Sequence, residues 1–261
     1  MQTFYMTDTG KVREHNEDNV IILENDKHEY LLAVADGMGG HKAGEVASAI
    51  AINHLTEEFY GLDSIGSKDA AIDFLRNIVT EINAKIFDYT KENPDSKGMG
   101  TTFVCAIKTD EYLLYGNIGD SSGYVIKNKK IHKVTKDHTL VNLLISTGEL
   151  KPEEAKYHPR KNVLMRALGA NNPIDIDIID VEPKIDGILL CSDGLTNMLT
   201  EEQIEKVLKE EKNIEDAVKK LINKANARGG NDNISIAYLK RESGDVWCYL
   251  KDKKLMNDMK Y

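Results

Sequence analysis

Apolar residues recur along this chain in two rhythms, and the changes between them outline most of a fold. Short, nearly unbroken apolar runs of strand length fall at 19–24, 30–35, 101–108, 111–118, 121–127, 175–182, 186–192 and 233–239. Longer stretches repeat their apolar positions at helical spacing. Over Ala43–Tyr60 the residues Val46, Ala47, Ile50, Ala51, His54 and Leu55 fall largely on one face, and over 70–89 Ile72, Leu75, Val79, Ile82 and Ile86 do the same. Further helices are expected over Leu140–Ser146, Glu201–Glu210 and Ile214–Ala227. Thr200-Glu201-Glu202-Gln203 has the form of a capping box, which predicts a helix start there.

The strands come as neighbouring pairs joined by short turns, at Thr109-Asp110-Glu111, Asp120-Ser121-Ser122 and Lys127-Asn128-Lys129. Such spacing predicts antiparallel hairpins, not parallel strands joined by helices. Two long amphipathic helices come early and two more late, and each needs a sheet face to cover. The economical arrangement is an α+β fold, a four-layer α-β-β-α sandwich of two antiparallel sheets flanked by helices. No Pro/Gly/Ser-rich linker interrupts the chain, so residues 1–241 are expected to form one domain. Residues 242–261, with Trp247, Tyr249 and clustered Lys and Asp, read as a C-terminal appendage, either surface or docking segment.

Aspartates beside glycine or asparagine mark the ends of these runs, in Ala35-Asp36-Gly37, Gly119-Asp120, Ser192-Asp193-Gly194 and Asn231-Asp232-Asn233, while Glu17-Asp18 precedes Val20-Ile21-Ile22-Leu23. Singly, each is also ordinary turn chemistry, since Asp, Asn and Gly favour turns. Asp36-Gly37-Met38-Gly39-Gly40 likewise serves as a Gly-rich connection into the helix near Ala43. If the ends converge, several carboxylates share one pocket, which is costly unless something neutralises them. All-oxygen ligands suit magnesium or manganese, not zinc or copper. That points to a metal-assisted reaction at an anionic centre, a phosphate ester first among them.

The bulk numbers narrow the field. Of the 261 residues, 41% are hydrophobic and 30% charged, an ordinary globular balance with material for a core. The net charge of −9 argues against a nucleic-acid binder and against a two-metal nuclease, which would show a basic face. No run of about 18 apolar residues predicts a membrane span, and the amino terminus lacks a signal-peptide layout. Of the three cysteines, Cys105 and Cys191 lie in apolar runs and Cys248 lies near the end, which reads as free thiols in a cytoplasmic protein.

As an ordered set, Arg13-Glu14-His15-Asn16-Glu17-Asp18, Asp36-Gly37-Met38-Gly39-Gly40-His41, Gly100-Thr101-Thr102, Gly119-Asp120-Ser121, Ser192-Asp193-Gly194-Leu195 and Asn231-Asp232-Asn233 carry a specific resemblance. The chain is similar, from about residue 7 to 239, to the metal-dependent serine/threonine protein phosphatases of type 2C in their short bacterial form. The resemblance implies the same sandwich, a core pair of Mn²⁺ or Mg²⁺ ions with a possible third, and direct attack of a water held between the pair. By the same resemblance Asp36 bridges the two ions, the Gly37 carbonyl completes one, and Asp193 and Asp232 hold the first. Glu17 belongs to the second ion, Asp18 supports a bound water, and Asp120 with Asp193 resembles the third site. Arg13 matches the arginine that grips the substrate phosphate, a task suited to bidentate guanidinium bonding.

Two positions depart from the family. Met38 stands where many eukaryotic relatives have a histidine that is a candidate proton donor, leaving bound water or His41, unless His41 only packs against the helix start. Ser122 stands where bacterial relatives often carry arginine. Residues 137–161 resemble the family's flap, and their His158, Arg160 and Lys161 make Arg160 a candidate for binding the phosphoprotein. Implied partners are phosphorylated proteins, with a serine/threonine kinase as the opposing activity and a monomer as the expected state. The rivals are a phosphatase dedicated to an anti-sigma-antagonist switch, and a catalytically dead phosphopeptide-binding regulator that would require a broken acidic set.

Overall fold

A computed structural model describes residues 1–40, 43–155 and 157–242. The chain opens with strands β1 (Gln2–Asp8), β2 (Asp18–Glu24) and β3 (Tyr30–Met38), then helices α1 (Ala43–Tyr60) and α2 (Lys68–Glu92). Strands β4 (Gly100–Thr101), β5 (Phe103–Lys108), β6 (Leu113–Ile118), β7 (Ser122–Lys127) and β8 (Lys130–Lys133) follow, with short helices α3 (Leu140–Ser146) and α4 (Pro152–Ala155). The chain continues through β9 (Asp177–Val181), β10 (Gly187–Cys191), α5 (Asp193–Thr196), α6 (Glu201–Glu210), α7 (Ile214–Ala227) and β11 (Ile234–Lys240). The strands form two antiparallel sheets, in the orders β1-β11-β10-β7-β8 and β2-β3-β5-β6-β9, with β4 paired to the end of β3.

The unbroken apolar runs are explained by burial on both faces. In β3, Leu31, Ala33 and Ala35 join the core beneath α1 and α2, while Leu32 and Val34 point between the sheets. In β10, Leu189 and Cys191 face α6 and α7, while Ile188 and Leu190 meet β3 residues in the middle layer. Each central strand therefore needs apolar residues at every position, a pattern more usual in parallel sheets. The Tyr115 hydroxyl ties the sheets together, donating across the middle layer to the Tyr124 carbonyl at 2.9 Å. The four layers predicted from sequence are the observed ones. The capping box at Thr200–Gln203 is formed, and Asn213 caps α7 through the Glu215 and Asp216 N–H groups. Among the described residues, no helix is long and apolar enough to cross a membrane.

The short helices α4 and α5 and the break between β4 and β5 lie outside the sequence pattern, and three further differences concern the sheets. Strand β1 went undetected because the consecutive Phe4-Tyr5-Met6 hides an alternation in which Phe4 and Met6 pack inward and Tyr5 is exposed. Strand β8 also lay outside the assigned runs, although the turn before it was recognised; Asn128 and Lys129, with φ of 53° and 62°, make the left-handed turn that suits a tight hairpin. The segment Asp120-Ser121-Ser122 is not a hairpin. Strand β6 pairs with β5 and β9 in one sheet, and β7 with β10 and β8 in the other. Both edges of each strand are already taken, so the chain crosses from sheet to sheet at Gly119, whose φ is +104°.

Loop 9–17, between β1 and β2, is fastened at three backbone points by one amide side chain. Asn233 donates from Nδ2 to the Thr9 and His15 carbonyls, each at 2.9 Å, and accepts the Glu17 N–H at Oδ1, also at 2.9 Å. Replacing it with alanine orphans three backbone groups at once. Asn233→Ala is expected to lower stability by about 1–3 kcal/mol, read from the urea midpoint at unchanged m.

Candidate active site

Register brings the first two carboxylates together, since Asp18 on β2 is the cross-strand partner of Asp36 on β3. The Asp36 backbone is fixed by the Gly100-Thr101-Thr102 segment. Its N–H donates to Thr102 Oγ1 at 3.0 Å, and its carbonyl accepts the Thr102 N–H and the Thr101 hydroxyl, both at 2.9 Å. Thr102 Oγ1 also shares a 2.7 Å hydrogen bond with Ser121, so the crossover bearing Asp120 is fastened to the same threonine as Asp36. Glycine is required where β3 meets α1, because a Cβ on Gly37 would lie 2.1 Å from the Gly44 carbonyl oxygen.

The other sheet contributes its own strand ends. Ser192 Oγ donates to Asp18 Oδ2 at 2.7 Å and accepts the Ser235 N–H at 2.9 Å, joining the end of β10 to the start of β11 beneath the site. Asp193 follows directly, with Oδ2 accepting from Asn197 at 3.0 Å. Asp232 accepts the Asn233 N–H at Oδ1 and Arg13 Nη2 at Oδ2, at 2.9 and 2.8 Å.

The strand ends meet at a cleft of about 440 Å³ whose walls include Arg13, Glu17, Asp36, Asp120, Asp193 and Asp232. Five carboxylates thus face two arginines, Arg13 and Arg166. The consequence is an environment hostile to ionised acids. Burial, followed by the charges of Asp18, Asp193, Asp120 and Asp232, holds the Asp36 carboxyl well above its ordinary range. Burial pushes Asp18 up to about 7, against hydrogen bonds from Ser192 and Ser235. Asp120 is raised to about 7 by burial and then by Asp193 and Asp137, and Asp193 to about 6 by burial and then by Asp232. Glu17 is raised as well, by burial ahead of the opposing pull of Arg13. Two oxygens, Asp18 Oδ1 and Asp193 Oδ1, are buried with no hydrogen-bond partner among the described residues. An all-oxygen donor set with orphaned lone pairs and destabilised negative charge fits hard divalent cations of the magnesium and manganese kind.

Of the residues singled out in the sequence, the fold gathers Arg13, Glu17, Asp36, Gly37, Asp120, Asp193 and Asp232 around one cleft. Asp18 lies beneath them, buried against Ser192 rather than lining the opening. Arg160 is exposed and is not among the cleft-lining residues. His41 lies outside the described residues. The cleft lining also includes residues that carried no functional signal, Asn162, Leu164, Met165 and Arg166. Thr102, Ser121, Ser192 and Asn233 stood inside recognised motifs, but only the hydrogen bonds give them their positioning roles. On the helical layer, His54, Glu58 and Glu81 place three possible ligand atoms within 4.8 Å of one another; none lines the cleft, and His54 Nε2 lies 2.9 Å from Glu81 between α1 and α2.

Comparison with known proteins follows the same lines. The family model described as Protein phosphatase 2C matches residues 10–235. The serine/threonine phosphatase stp of Listeria monocytogenes is 40% identical over 243 residues, covering 93% of this chain and 96% of that protein. The crystal structure of the serine/threonine phosphatase Stp1 from Staphylococcus aureus superposes with a TM-score of 0.87 at 37% identity, covering 93% of this chain and 95% of that one. The catalytic domain of the serine/threonine protein phosphatase PstP, solved in complex with two manganese ions, gives 0.79 at 33% identity, covering 91% and 96%. A matching family model across most of the chain, together with a relative at this identity, places the sequence: it belongs to the protein phosphatase 2C family and is a metal-dependent phosphoprotein phosphatase.

Proposed function

We propose that this protein hydrolyses phosphoserine and phosphothreonine monoesters in other proteins, opposing a serine/threonine kinase in the cytoplasm. The observation that carries the reading is the convergence of Glu17, Asp36, Asp120, Asp193 and Asp232 on one cleft, with buried oxygens left unpartnered beside them. Asp36 would lie between a core pair of Mn²⁺ or Mg²⁺ ions, Asp193 and Asp232 on one, Glu17 and the Gly37 carbonyl on the other. Asp120 with Asp193 would hold a third. Such a pair supplies an acidified water as nucleophile and neutralises the phosphoryl oxygens during in-line displacement.

The chain's own residues do the rest. Arg13, half exposed at the cleft and bonded to Asp232 through Nη2, has further guanidinium donors to offer a phosphoryl group. Asp18, anchored by the Ser192 hydroxyl, holds its cross-strand partner Asp36 in register. Met38 lines the cleft and has no proton to give, so the leaving alkoxide takes its proton from water or from His41. A nucleophilic cysteine is not needed, and burial pushes the Cys105 and Cys191 thiols up to about 12, which silences them. Exposed Met165 in the cleft lining, with exposed Val12 and Val163 next in sequence to the lining residues Arg13 and Leu164, offers apolar contact to a protein chain rather than to a small ester.

Hydrolysis of p-nitrophenyl phosphate and of a phosphothreonine peptide is expected to require Mn²⁺, to stop with EDTA, and to fall at least ~100-fold in Asp193→Ala, the scale of losing one transition-state charge contact. Turnover without metal, or full activity in the variant, would falsify the mechanism; peptide binding without turnover would support a regulator instead. Arg160→Glu is expected to reduce activity on a phosphoprotein more than on the aryl phosphate, and equal effects on both would remove Arg160 from substrate recognition.

The raised carboxylates also make a statement about pH. Their folded pKa values, about 6 for Asp193 and about 7 for Asp18 and Asp120, exceed the ordinary 3.8, so the folded state binds these protons more tightly than the unfolded chain. Their contribution to metal-free stability is complete below the ordinary value and is lost as pH rises through 6 to 7. The gain in Tm on adding Mn²⁺ to EDTA-stripped protein should therefore be larger at about pH 8 than at about pH 5. A gain that shrinks with rising pH would contradict this picture of the site.

A further inference from the structure

The crossover that carries Asp120 is gripped from one side by a histidine, through its backbone and its ring. His138, just before α3, donates its backbone N–H to the Gly119 carbonyl at 2.9 Å and accepts the Gly119 N–H at Nδ1, at 3.1 Å. Gly119 is thus bonded to His138 through both of its backbone polar groups, which belong to the peptides on either side of it, and Asn117 Nδ2 adds a longer bond to the same carbonyl at 3.4 Å. Gly119 needs such external support, because its φ of +104° and the Thr102 side chain, 2.7 Å from where a Cβ would lie, hold it outside regular strand geometry. Since Nδ1 accepts, the ring proton is on Nε2, and Nε2 lies 3.0 Å from Asp177 Oδ2 at the start of β9. Arg166 reaches the other oxygen of the same carboxylate, Nη1 to Oδ1 at 2.7 Å, and donates from Nη2 to the Asp175 carbonyl; Nη1 also lies 3.1 Å from Nε2, and with the ring proton on Nε2 that approach is held by the shared Asp177 carboxylate and is not a bond to the ring. The His138 carbonyl in turn accepts the Met165 N–H at 2.8 Å. One residue, its ring about 9% exposed, therefore joins the Asp120 crossover and the first strand residue of β9 through its imidazole and the cleft wall at Met165 through its carbonyl.

We propose that His138 is a positioning residue that holds Gly119 through both its N–H and its carbonyl so that the Asp120 carboxylate faces Asp193 in a cation-ready geometry, with Asp177 fixing the imidazole tautomer that accepts the Gly119 N–H. The inference rests on the reading of Asp120 as a ligand of a third ion. The logic is that of a metal site's outer partners: a flexible glycine turn delivers the ligand, and the neighbour that freezes the turn sets affinity without touching the ion.

The experiment compares full-length wild type, His138→Ala, His138→Asn and Asp120→Asn by calorimetric titration with Mn²⁺, alongside kcat and KM on p-nitrophenyl phosphate. Asp120→Asn is expected to lose the weakest-binding ion. His138→Ala should weaken that ion by about 10–100-fold while the tighter ions bind as in wild type, the range for losing such an outer partner. His138→Asn keeps an oxygen where Nδ1 accepts the Gly119 N–H and should recover most of the affinity, which a general loss of stability would not do. If Asp120→Asn loses the weak ion and folded His138→Ala keeps it at wild-type affinity, the positioning role is overturned. If Asp120→Asn binds every ion normally, the ligand reading falls and takes this proposal with it. Imidazole ¹⁵N spectra of the wild type give an answer independent of the variants: a proton on Nε2 is expected, and a proton on Nδ1 overturns the proposal.

Discussion

Like charges withdrawn from water at one end of the sandwich are the constraint to which the rest of this structure answers. Asp18 and Asp36 are paired by strand register, and Asp193 and Asp232 arrive from the facing sheet. Their ionised forms repel one another where solvent screens them poorly. The groups bonded to their carboxylates are mostly neutral: the Ser192 and Ser235 hydroxyls, the Asn197 side-chain amide and the Asn233 backbone amide. Hydroxyls and amides orient a carboxylate without cancelling its charge. Position is thus supplied by the fold, and neutralisation is left to cations, with Arg13 bonded directly to one acid alone.

Because the acids come from both sheets, the distance between sheets sets the distance between ligands. That distance is fixed by the middle layer, where Leu32 and Val34 meet Ile188, Leu190 and Leu239, all fully buried. Close-packed interiors transmit small volume changes as displacement. The ends of β3 and β10 therefore inherit their separation from side chains that never approach the cleft. Asp120 is the exception, since it rides the link between sheets rather than the end of a central strand, and its placement depends on Gly119 and on the partners of that peptide.

Much of this was legible in the residues. Strands buried on both faces read as unbroken apolar runs, and the helices covering them showed their spacing, so the layers followed directly. The acidic positions were legible because each stands at the end of such a run beside glycine or asparagine, where a ligand oxygen leaves the core. What escaped had physical reasons. Strand β1 carries three large apolar residues in a row, which masks a half-buried edge strand against β11. The Asp120 crossover looked like a hairpin turn because its length is the same, and only the occupied edges of β6 and β7 forbid the pairing. His138 and Arg166 gave no signal, since their importance lies in a shared contact with Asp177 that no local pattern encodes.

An acidic protein acting on an anionic group looks paradoxical at a net charge of −9. The range of the field resolves it. At physiological ionic strength the screening length is about 8 Å, so charges spread over the surface contribute little at the cleft. Inside, the balance is set locally by the carboxylates, the two arginines and whatever cations the carboxylates retain. A phosphoryl group small enough to enter meets that local field. A long polyanion lying across the surface meets the acidic exterior instead. A net charge of −9 is therefore no obstacle to a single phosphorylated side chain, because the charges that side chain meets are those of the cleft and not those of the whole surface.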